Sequence, residues 1–149
     1  MELALALARR NAQSAVGGPF GAIVVFEGKV VGEGSNRVTA TNDPTAHAEV
    51  VALREAGKKL GRFELKGCVL YTSCEPCPMC LSAAYWSRVD RVVYAATQED
   101  AAAAGFDDAF LYREMAKPIE ARSLKFDRVI SDGADPFALW LANPDRIPY

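Results

Sequence analysis

The 149-residue sequence lacks any apolar run approaching the roughly 20 residues that a helix needs to cross a bilayer. Its start, MELALALARR, has the acidic residue before the apolar residues and the arginines after them. This is the wrong charge order for a secretory signal, so the segment is interpreted as a first helix. We therefore expect no membrane partner and a cytoplasmic protein, in which closely spaced cysteines are more often metal or catalytic groups than disulfides.

The sequence also lacks an excess of basic residues. Its formal net charge is −2 and its pI is about 5.5, whereas proteins that bind a nucleic-acid backbone usually carry a basic field. The one basic cluster, Lys58, Lys59 and Arg62, falls at the end of a predicted helix, where cations are favoured in any case. A nucleic-acid partner is not expected.

Hydrophobic patterning predicts alternating strands and helices. GAIVVFEGKVVGEGSNRV reads as a hairpin with a tight turn at Glu27-Gly28. A helix is expected after the capping and turn residues Asp43-Pro44-Thr45, ending at Gly61. The later elements are a strand in CVLYTS, a helix in PCPMCLSAAYWSR, a strand in RVVYAA, a helical stretch interrupted at Gly105 and a short apolar helix in DPFALWLANPDRIPY.

This order of elements predicts an α/β fold, namely a three-layer α/β/α sandwich in which helices cover both faces of a mixed central sheet. The sequence has no internal repeat, linker or low-complexity segment. We therefore expect one domain over residues 1–149.

Three of the four cysteines lie in YTSCEPCPMC, and the single histidine, His47, stands at the front of the helix that follows the hairpin. Cys77 and Cys80 are spaced i, i+3 across a predicted helix start, which puts both sulfurs on one face where the helix dipole favours thiolates. Two thiolates and one neutral imidazole suit zinc, and three protein ligands leave a fourth position for water.

Cys74 leaves two alternatives open. If it joined His47, Cys77 and Cys80, the metal would have four protein ligands and the site would be structural. Pro76 favours an extended chain before it, which puts the sulfur of Cys74 off the helix face. Cys77 and Cys80 alone could also form a redox dithiol, but that leaves His47 unexplained.

Glu49 lies two residues after His47, in the sequence HAE. A first-turn acid is ordinarily a solvated residue that the helix dipole favours. Beside a metal it is well placed to accept a proton from a bound water and to deliver it to a leaving group.

HAE followed by PCPMC resembles the cytidine deaminase-like zinc deaminases, whose signature is H-x-E and then P-C-x-x-C. The similarity continues through GGPFGA, NDPTAHAE, TSCEPCPMC, YW and AAAAGFDDAF, which look most like the bacterial guanine deaminases of that superfamily. The resemblance implies one zinc ion per subunit on His47, Cys77 and Cys80, with Glu49 as the catalytic proton shuttle. It also implies that Cys74 is not a ligand.

Further expectations come from the resemblance alone. It implies that Asn36, Phe20, Trp86 and Asp108 bind a purine. It also implies a homodimer in which the tail, residues of about 133–149, is exchanged so that Tyr149 closes the site of the neighbouring subunit.

Each of these residues also has a structural interpretation. Phe20 and Trp86 could belong to the core, Asn36 could be a turn residue, and either Asp107 or Asp108 could cap the helix that begins near Ala109.

The implied reaction is hydrolytic deamination of guanine to xanthine and ammonia. The alternatives are a tRNA adenosine deaminase, a deaminase of cytosine or cytidine, and a non-catalytic zinc or redox module. The acidic pI, the FDD segment and a tail that ends in NPDRIPY instead of a basic helix argue against the tRNA enzyme.

Overall fold

The computed structural model describes residues 1–129 and 133–149. The elements follow in the order α1 (Glu2–Ser14), β1 (Gly21–Phe26), β2 (Lys29–Ser35), α2 (Val38–Thr41), α3 (Ala48–Leu60), β3 (Cys68–Cys74), α4 (Pro78–Ser87), β4 (Arg91–Ala96), α5 (Gln98–Ala103), α6 (Ala109–Ala116), a 3₁₀ turn (Ile119–Ala121) and α7 (Asp135–Ala142). Among the described residues, none of the helices is both long and apolar enough to span a membrane.

The four strands form one mixed sheet in the order β2-β1-β3-β4. Strand β1 is antiparallel to both β2 and β3, whereas β3 and β4 are parallel. The predicted hairpin is confirmed. Its two turn residues, Glu27 and Gly28, have φ values of 49° and 75°, as in the type I′ turn that matches the twist of a two-residue hairpin.

Helices cover both faces of this sheet, which confirms the predicted sandwich. A Cβ atom at Gly21 would overlap with α1, and one at Gly34 would overlap with α3. Gly34 pairs with Ala22, the residue next to Gly21. Since neighbouring strand residues face opposite sides, α1 and α3 pack on opposite faces. Helix α4 lies beside α3.

Small side chains let α3 approach the sheet closely. Helix α3 contributes three fully buried alanines to the core, which also contains larger apolar residues of β1 and β3: the buried members include Ala22, Val24, Ala48, Ala52, Leu53, Ala56, Leu65 and Leu70. The helix ends at Gly61, which has a φ of 64°, so the predicted stop is confirmed. The helix begins at Ala48, with His47 as its N-cap residue. Asp43 lies in the turn before it, where its Oδ1 accepts a hydrogen bond from the Thr45 amide at 2.8 Å.

The chain divides into two compact units, Met1–Tyr112 and Arg113–Tyr149. The first contains the whole sheet. In the second, the Glu114 carboxylate accepts hydrogen bonds from the Ser123 amide (2.6 Å) and hydroxyl (2.8 Å), and α7 carries exposed apolar residues. The expectations of one domain over residues 1–149 and of an exchanged tail stay predictions.

Candidate active site

Three helix starts meet at one edge of the sheet. The parallel strands β3 and β4 both end there, and α4 and α5 begin within a few residues of those ends. His47 is the N-cap residue of α3 and Cys77 is the N-cap residue of α4, with Pro78 at the first helical position. Polar groups of three separate segments are thus brought to the strand ends, where sites form in open α/β sheets.

His47, Cys77 and Cys80 form one cluster, in which the candidate ligand atoms all lie within 4.8 Å of one another. The Nδ1 atom of His47 is 3.6 Å from the Cys77 sulfur and 3.5 Å from the Cys80 sulfur. Zn–S bonds of about 2.3 Å and a Zn–N bond of about 2.0–2.1 Å at tetrahedral angles separate nitrogen and sulfur by about 3.6 Å. The three side chains therefore fit a zinc ion bound through Nδ1 and two sulfurs.

The protonation of the two cysteines supports the same conclusion. A hydrogen bond from Cys80 lowers the pKa of Cys77 to about 4 despite its burial. The hydrogen bond to Cys77 and burial in turn raise the pKa of Cys80. The hydrogen bond with Cys77 is also the main cause of the raised pKa of His47. Of the two sulfurs, Cys77 is thus the more readily ionised, and a bound divalent cation would stabilise both as thiolates.

Cys74 lies outside this cluster. Its sulfur donates to the Thr97 carbonyl at 3.4 Å, and burial raises the pKa of its thiol to about 11. Among the described residues, the group of candidate metal ligands contains His47, Cys77 and Cys80 and does not include Cys74. The geometry therefore favours three protein ligands over four, the arrangement typical of catalytic zinc.

Glu49 is 5 % exposed and lies in the first turn of α3. Its Oε1 atom accepts a hydrogen bond from the buried Thr72 hydroxyl at 3.2 Å. Burial is the main cause of its raised pKa, and the nearby Cys77 adds to the effect. A buried carboxyl group whose pKa is raised above its ordinary value is suited to accept and return a proton.

A cavity of about 280 Å³ opens beside the cluster, at the small end of the range for ligand pockets. It is lined by Phe20, Asn36, His47, Glu49, Cys74, Glu75, Cys77, Gln98, Ala101, Gly105, Phe106, Asp107, Asp108 and Leu111. Two predicted metal ligands, the predicted proton shuttle and three of the predicted substrate contacts thus share one cavity. Every one of these residues belongs to the first unit.

Asn36 reaches the cavity from the end of β2 with its amide orientation fixed. Its Oδ1 atom accepts hydrogen bonds from the backbone amides of Gly18 (3.2 Å) and Val38 (3.3 Å). The Nδ2 group is therefore the donor that Asn36 offers to a ligand. Buried Asn11 of α1 supports the same loop, because its Nδ2 donates to the carbonyls of Gly18 (2.6 Å) and Asn36 (2.9 Å).

The two adjacent aspartates have different environments. Asp107 is exposed and caps α6, because its Oδ1 accepts the Ala109 amide at 2.9 Å. Asp108 is half-buried and accepts the side-chain amide of Gln98 at 2.7 Å. The capping interpretation therefore applies to Asp107, which leaves the Asp108 carboxylate available to the cavity.

The sequence analysis did not single out Glu75, Gln98 or Phe106. The position of Gln98 shortly after β4 could have identified it. Because β4 is parallel to β3, the two strands end at the same edge of the sheet, where the site lies. Phe106 packs edge-on against Phe20, with ring centroids 5.0 Å apart. No comparable sequence signal identifies Phe106.

Trp86 and Tyr149 are not among the residues that line the cavity. Trp86 lies on α4 and is 64 % exposed, and Tyr149 lies in the second unit and is 73 % exposed. Their predicted contacts with a purine stay predictions, as do the roles predicted for Asn36, Phe20 and Asp108.

The fold and site define a zinc-dependent deaminase. The sequence profile of the cytidine and deoxycytidylate deaminase zinc-binding region matches residues 1–96, and the chain belongs to this family. Within it, the chain is 52 % identical over 141 residues to guanine deaminase of Bacillus subtilis (strain 168), a match that covers 94 % of this chain and 90 % of that protein. The X-ray structure of the Bacillus subtilis guanine deaminase superposes with a TM-score of 0.97 and 50 % identity, covering 99 % of this chain and 95 % of that one.

The chain is also similar to a tRNA-specific adenosine deaminase, over a shorter segment. The protein of that name from Buchnera aphidicola subsp. Schizaphis graminum is 46 % identical over 82 residues, which is 55 % of this chain and 54 % of that protein. The match to guanine deaminase is longer by 59 residues, the difference between 141 and 82.

Proposed function

We propose that this protein is a guanine deaminase, which hydrolyses guanine to xanthine and ammonia with one zinc ion per subunit. The observation that carries the proposal is the shared cavity. Its lining includes His47 and Cys77 of the zinc-fitting cluster, buried Glu49, Asn36 and Asp108. The similarity to guanine deaminase, which covers nearly the whole chain, supports the same function.

His47, Cys77 and Cys80 hold the metal in this proposal. Zinc, when bound, acts as a Lewis acid that lowers the pKa of water and so supplies a nucleophile at neutral pH. The remaining chemistry belongs to Glu49, whose buried carboxylate accepts a proton from the attacking water. It donates this proton to N3 of the base as the C2–O bond forms. It then accepts the remaining proton of the hydroxyl on C2 and donates it to the departing amine, so that the C2–N bond breaks, C2 becomes a carbonyl and ammonia leaves.

Asn36 and Asp108 hold the base in complementary fashion. Guanine offers both acceptors, such as O6 and N7, and donors, such as N1–H. Asn36 presents its Nδ2 donor because its oxygen is engaged by two backbone amides, and Asp108 presents a carboxylate oxygen as an acceptor. Phe20, supported by Phe106, supplies an aromatic wall for the flat ring.

Ammonia release from a panel of substrates tests this function. The zinc-loaded protein is assayed with guanine, guanosine, adenine, cytosine, cytidine and tRNA, and we expect turnover of guanine above all others. Preferred release from adenosine in tRNA or from cytidine would keep the zinc chemistry and refute the proposed substrate. Release from none of them, with zinc bound, would indicate a structural metal site.

We do not propose a nucleic-acid partner. The net charge of −2 gives no overall attraction to phosphate groups. In a filter-binding titration, a salt-sensitive submicromolar complex with tRNA would contradict this.

The dimer is a further part of the proposal. Apolar side chains in the second unit are largely exposed in the single chain: Phe137, Leu139, Leu141 and Ile147 are each between 64 and 71 % exposed. So much exposed apolar surface is typical of an interface. It supports exchange of residues 133–149 between two subunits, with Tyr149 acting in the partner's site.

Subunit mixing tests the exchange directly. Glu49→Gln inactivates the site of its own subunit, whereas Tyr149→Ala would remove a contact from the partner's site. In a co-expressed heterodimer of the two variants, one site has both an intact Glu49 and an intact Tyr149. We expect activity above that of either variant alone, with a dimer mass by light scattering. A monomer, or mixtures no more active than the sum of the two variants, would refute the exchange.

The proposed setting is purine catabolism in the cytoplasm. It is supported by four cysteines without a disulfide, of which two must stay reduced to bind zinc. Cell fractionation with an antibody to the protein tests this location.

A further inference from the structure

Gln98 is anchored at three points beside the cavity. It is the first residue of α5, whose start is fixed by a reciprocal cap between Thr97 and Asp100. Its backbone amide donates to Oε2 of Glu75 at 3.3 Å. Its side-chain Nε2 donates to Oδ1 of Asp108 at 2.7 Å. The Gln98 side chain thereby links the end of β4 to the loop before α6.

The hydrogen bond between Gln98 and Asp108 fixes the orientation of the Gln98 side-chain amide. An ionised carboxylate only accepts hydrogen bonds, so the atom of Gln98 that lies 2.7 Å from Asp108 must be its NH₂ group. This assignment leaves the Gln98 side chain with Oε1 as its acceptor and the second N–H of Nε2 as a donor, and leaves Oδ2 as the remaining oxygen of Asp108. Both residues line the cavity. The pair therefore offers hydrogen-bond acceptors to a ligand, whereas Asn36 offers a donor.

We propose that Gln98 is a specificity-determining residue of this site: it holds the Asp108 carboxylate in place and adds its own acceptor, so that the pair selects bases with N–H donors on the bound edge. A 6-oxopurine presents such a donor at N1. Adenine and cytosine present a ring acceptor, N1 or N3, at the corresponding position, and two acceptors repel each other. The inference rests on the proposed function, since it concerns how that site distinguishes guanine from other bases.

The test is a binding measurement that does not depend on turnover. Hypoxanthine keeps the N1–H of guanine but lacks the C2 amine, so it binds without being deaminated at C2. Its affinity and that of adenine are measured by calorimetry for the zinc-loaded wild type, for Gln98→Met and for Gln98→Asn. The first variant keeps the length and removes the polar atoms. The second keeps the amide but is one methylene too short to reach Asp108.

We expect both variants to bind hypoxanthine roughly ten- to a hundredfold more weakly, the usual effect of losing a hydrogen bond to a charged group. Adenine affinity should change by less than about threefold, so the preference for hypoxanthine falls. With guanine, KM should rise by a similar factor while kcat changes little, the pattern of lost ground-state binding. Zinc content should stay at one equivalent.

Glu99→Gln is the matched control, because Glu99 is exposed on the same helix turn and does not line the cavity. Glu99→Gln should leave the affinities for hypoxanthine and adenine, KM and kcat with guanine, and the zinc content unchanged. An unchanged preference in Gln98→Met or Gln98→Asn would overturn the inference, as would a parallel loss of both ligands with lost zinc, which indicates a structural role. If Gln98→Met does not fold, Gln98→Asn decides.

The two hypotheses fail separately. A wild type that prefers hypoxanthine but releases no ammonia from guanine would refute the proposed reaction and leave the role of Gln98 standing. A wild type that turns over guanine but binds adenine as tightly as hypoxanthine would refute the role of Gln98.

Discussion

Replacing Glu49 with glutamine removes one ionisable group from the site and keeps the shape of the side chain. Glu49 is 5 % exposed, and its Oε1 accepts the Thr72 hydroxyl at 3.2 Å. An amide oxygen can accept the same hydrogen bond, so the variant should retain the local packing. His47, Cys77 and Cys80 are untouched, and zinc content should stay at one equivalent.

The expected loss of activity follows from the role of Glu49. General acid–base catalysis by one side chain typically contributes a factor of about 10²–10⁴. Since each tenfold change corresponds to 1.36 kcal/mol, the transition state should lose about 2.7–5.4 kcal/mol of stabilisation. We expect the loss in kcat, with KM for guanine nearly unchanged, because Asn36 and Asp108 remain.

The same substitution should change how stability depends on pH. Burial raises the pKa of Glu49 in the folded protein, so between the unfolded pKa near 4.5 and the folded pKa the folded state binds more protons. Glu49 therefore destabilises the fold increasingly as the pH rises through that window. The melting temperature of Glu49→Gln relative to wild type should rise over the same window, measured by calorimetry on the zinc-free proteins.

Three measurements test these expectations for Glu49→Gln: the zinc content by atomic absorption, the rate of ammonia release from guanine, and melting curves at several pH values. Glu99→Gln serves as the control for removing an exposed acid. A Glu49→Gln protein with zinc bound and kcat within threefold of wild type would refute the assignment of Glu49 as proton shuttle. A relative melting temperature that falls with rising pH would refute the argument from burial.

Further predictions concern the metal and the cavity loop. Cys74→Ser should retain zinc after dialysis, whereas Cys77→Ser should lose it; equal loss would mean that Cys74 is a ligand. Asn11→Leu should destabilise the protein by about 2–5 kcal/mol, because two buried carbonyls lose their donor, and it should raise KM through displacement of Asn36; a stable variant with normal KM would contradict the proposed support. A zinc chelator should abolish ammonia release and lower the melting temperature, and added zinc should restore both.

The local pattern of the sequence was enough to predict the metal cluster. The i, i+3 spacing of Cys77 and Cys80 fixes their relative positions on α4 whatever the rest of the chain does. His47 and Glu49 similarly share the start of α3. These two helix starts meet because α3 follows β2 and α4 follows β3, and both strands are antiparallel to β1, so they end at the same edge of the sheet.

The sequence alone could not assign roles to the polar residues around the cavity. Asp107 and Asp108 are chemically identical neighbours, and only the fold makes one a helix cap and the other a partner of Gln98. Asn11 and Asn36 are 25 residues apart in the chain and form a buried hydrogen bond. Such pairs depend on distances across the fold, which residue spacing does not encode.

The amino-acid sequence by itself determined the hairpin, the end of α3 at Gly61 and the three side chains that fit zinc, because each of these follows from short-range spacing, capping and turn chemistry. Tertiary structure decided the rest of the site. It placed Gln98 against Asp108, left Cys74 outside the metal cluster and kept Trp86 away from the cavity lining. The physical reason is that hydrogen bonds act over about 3 Å, and only the packed chain brings distant residues that close.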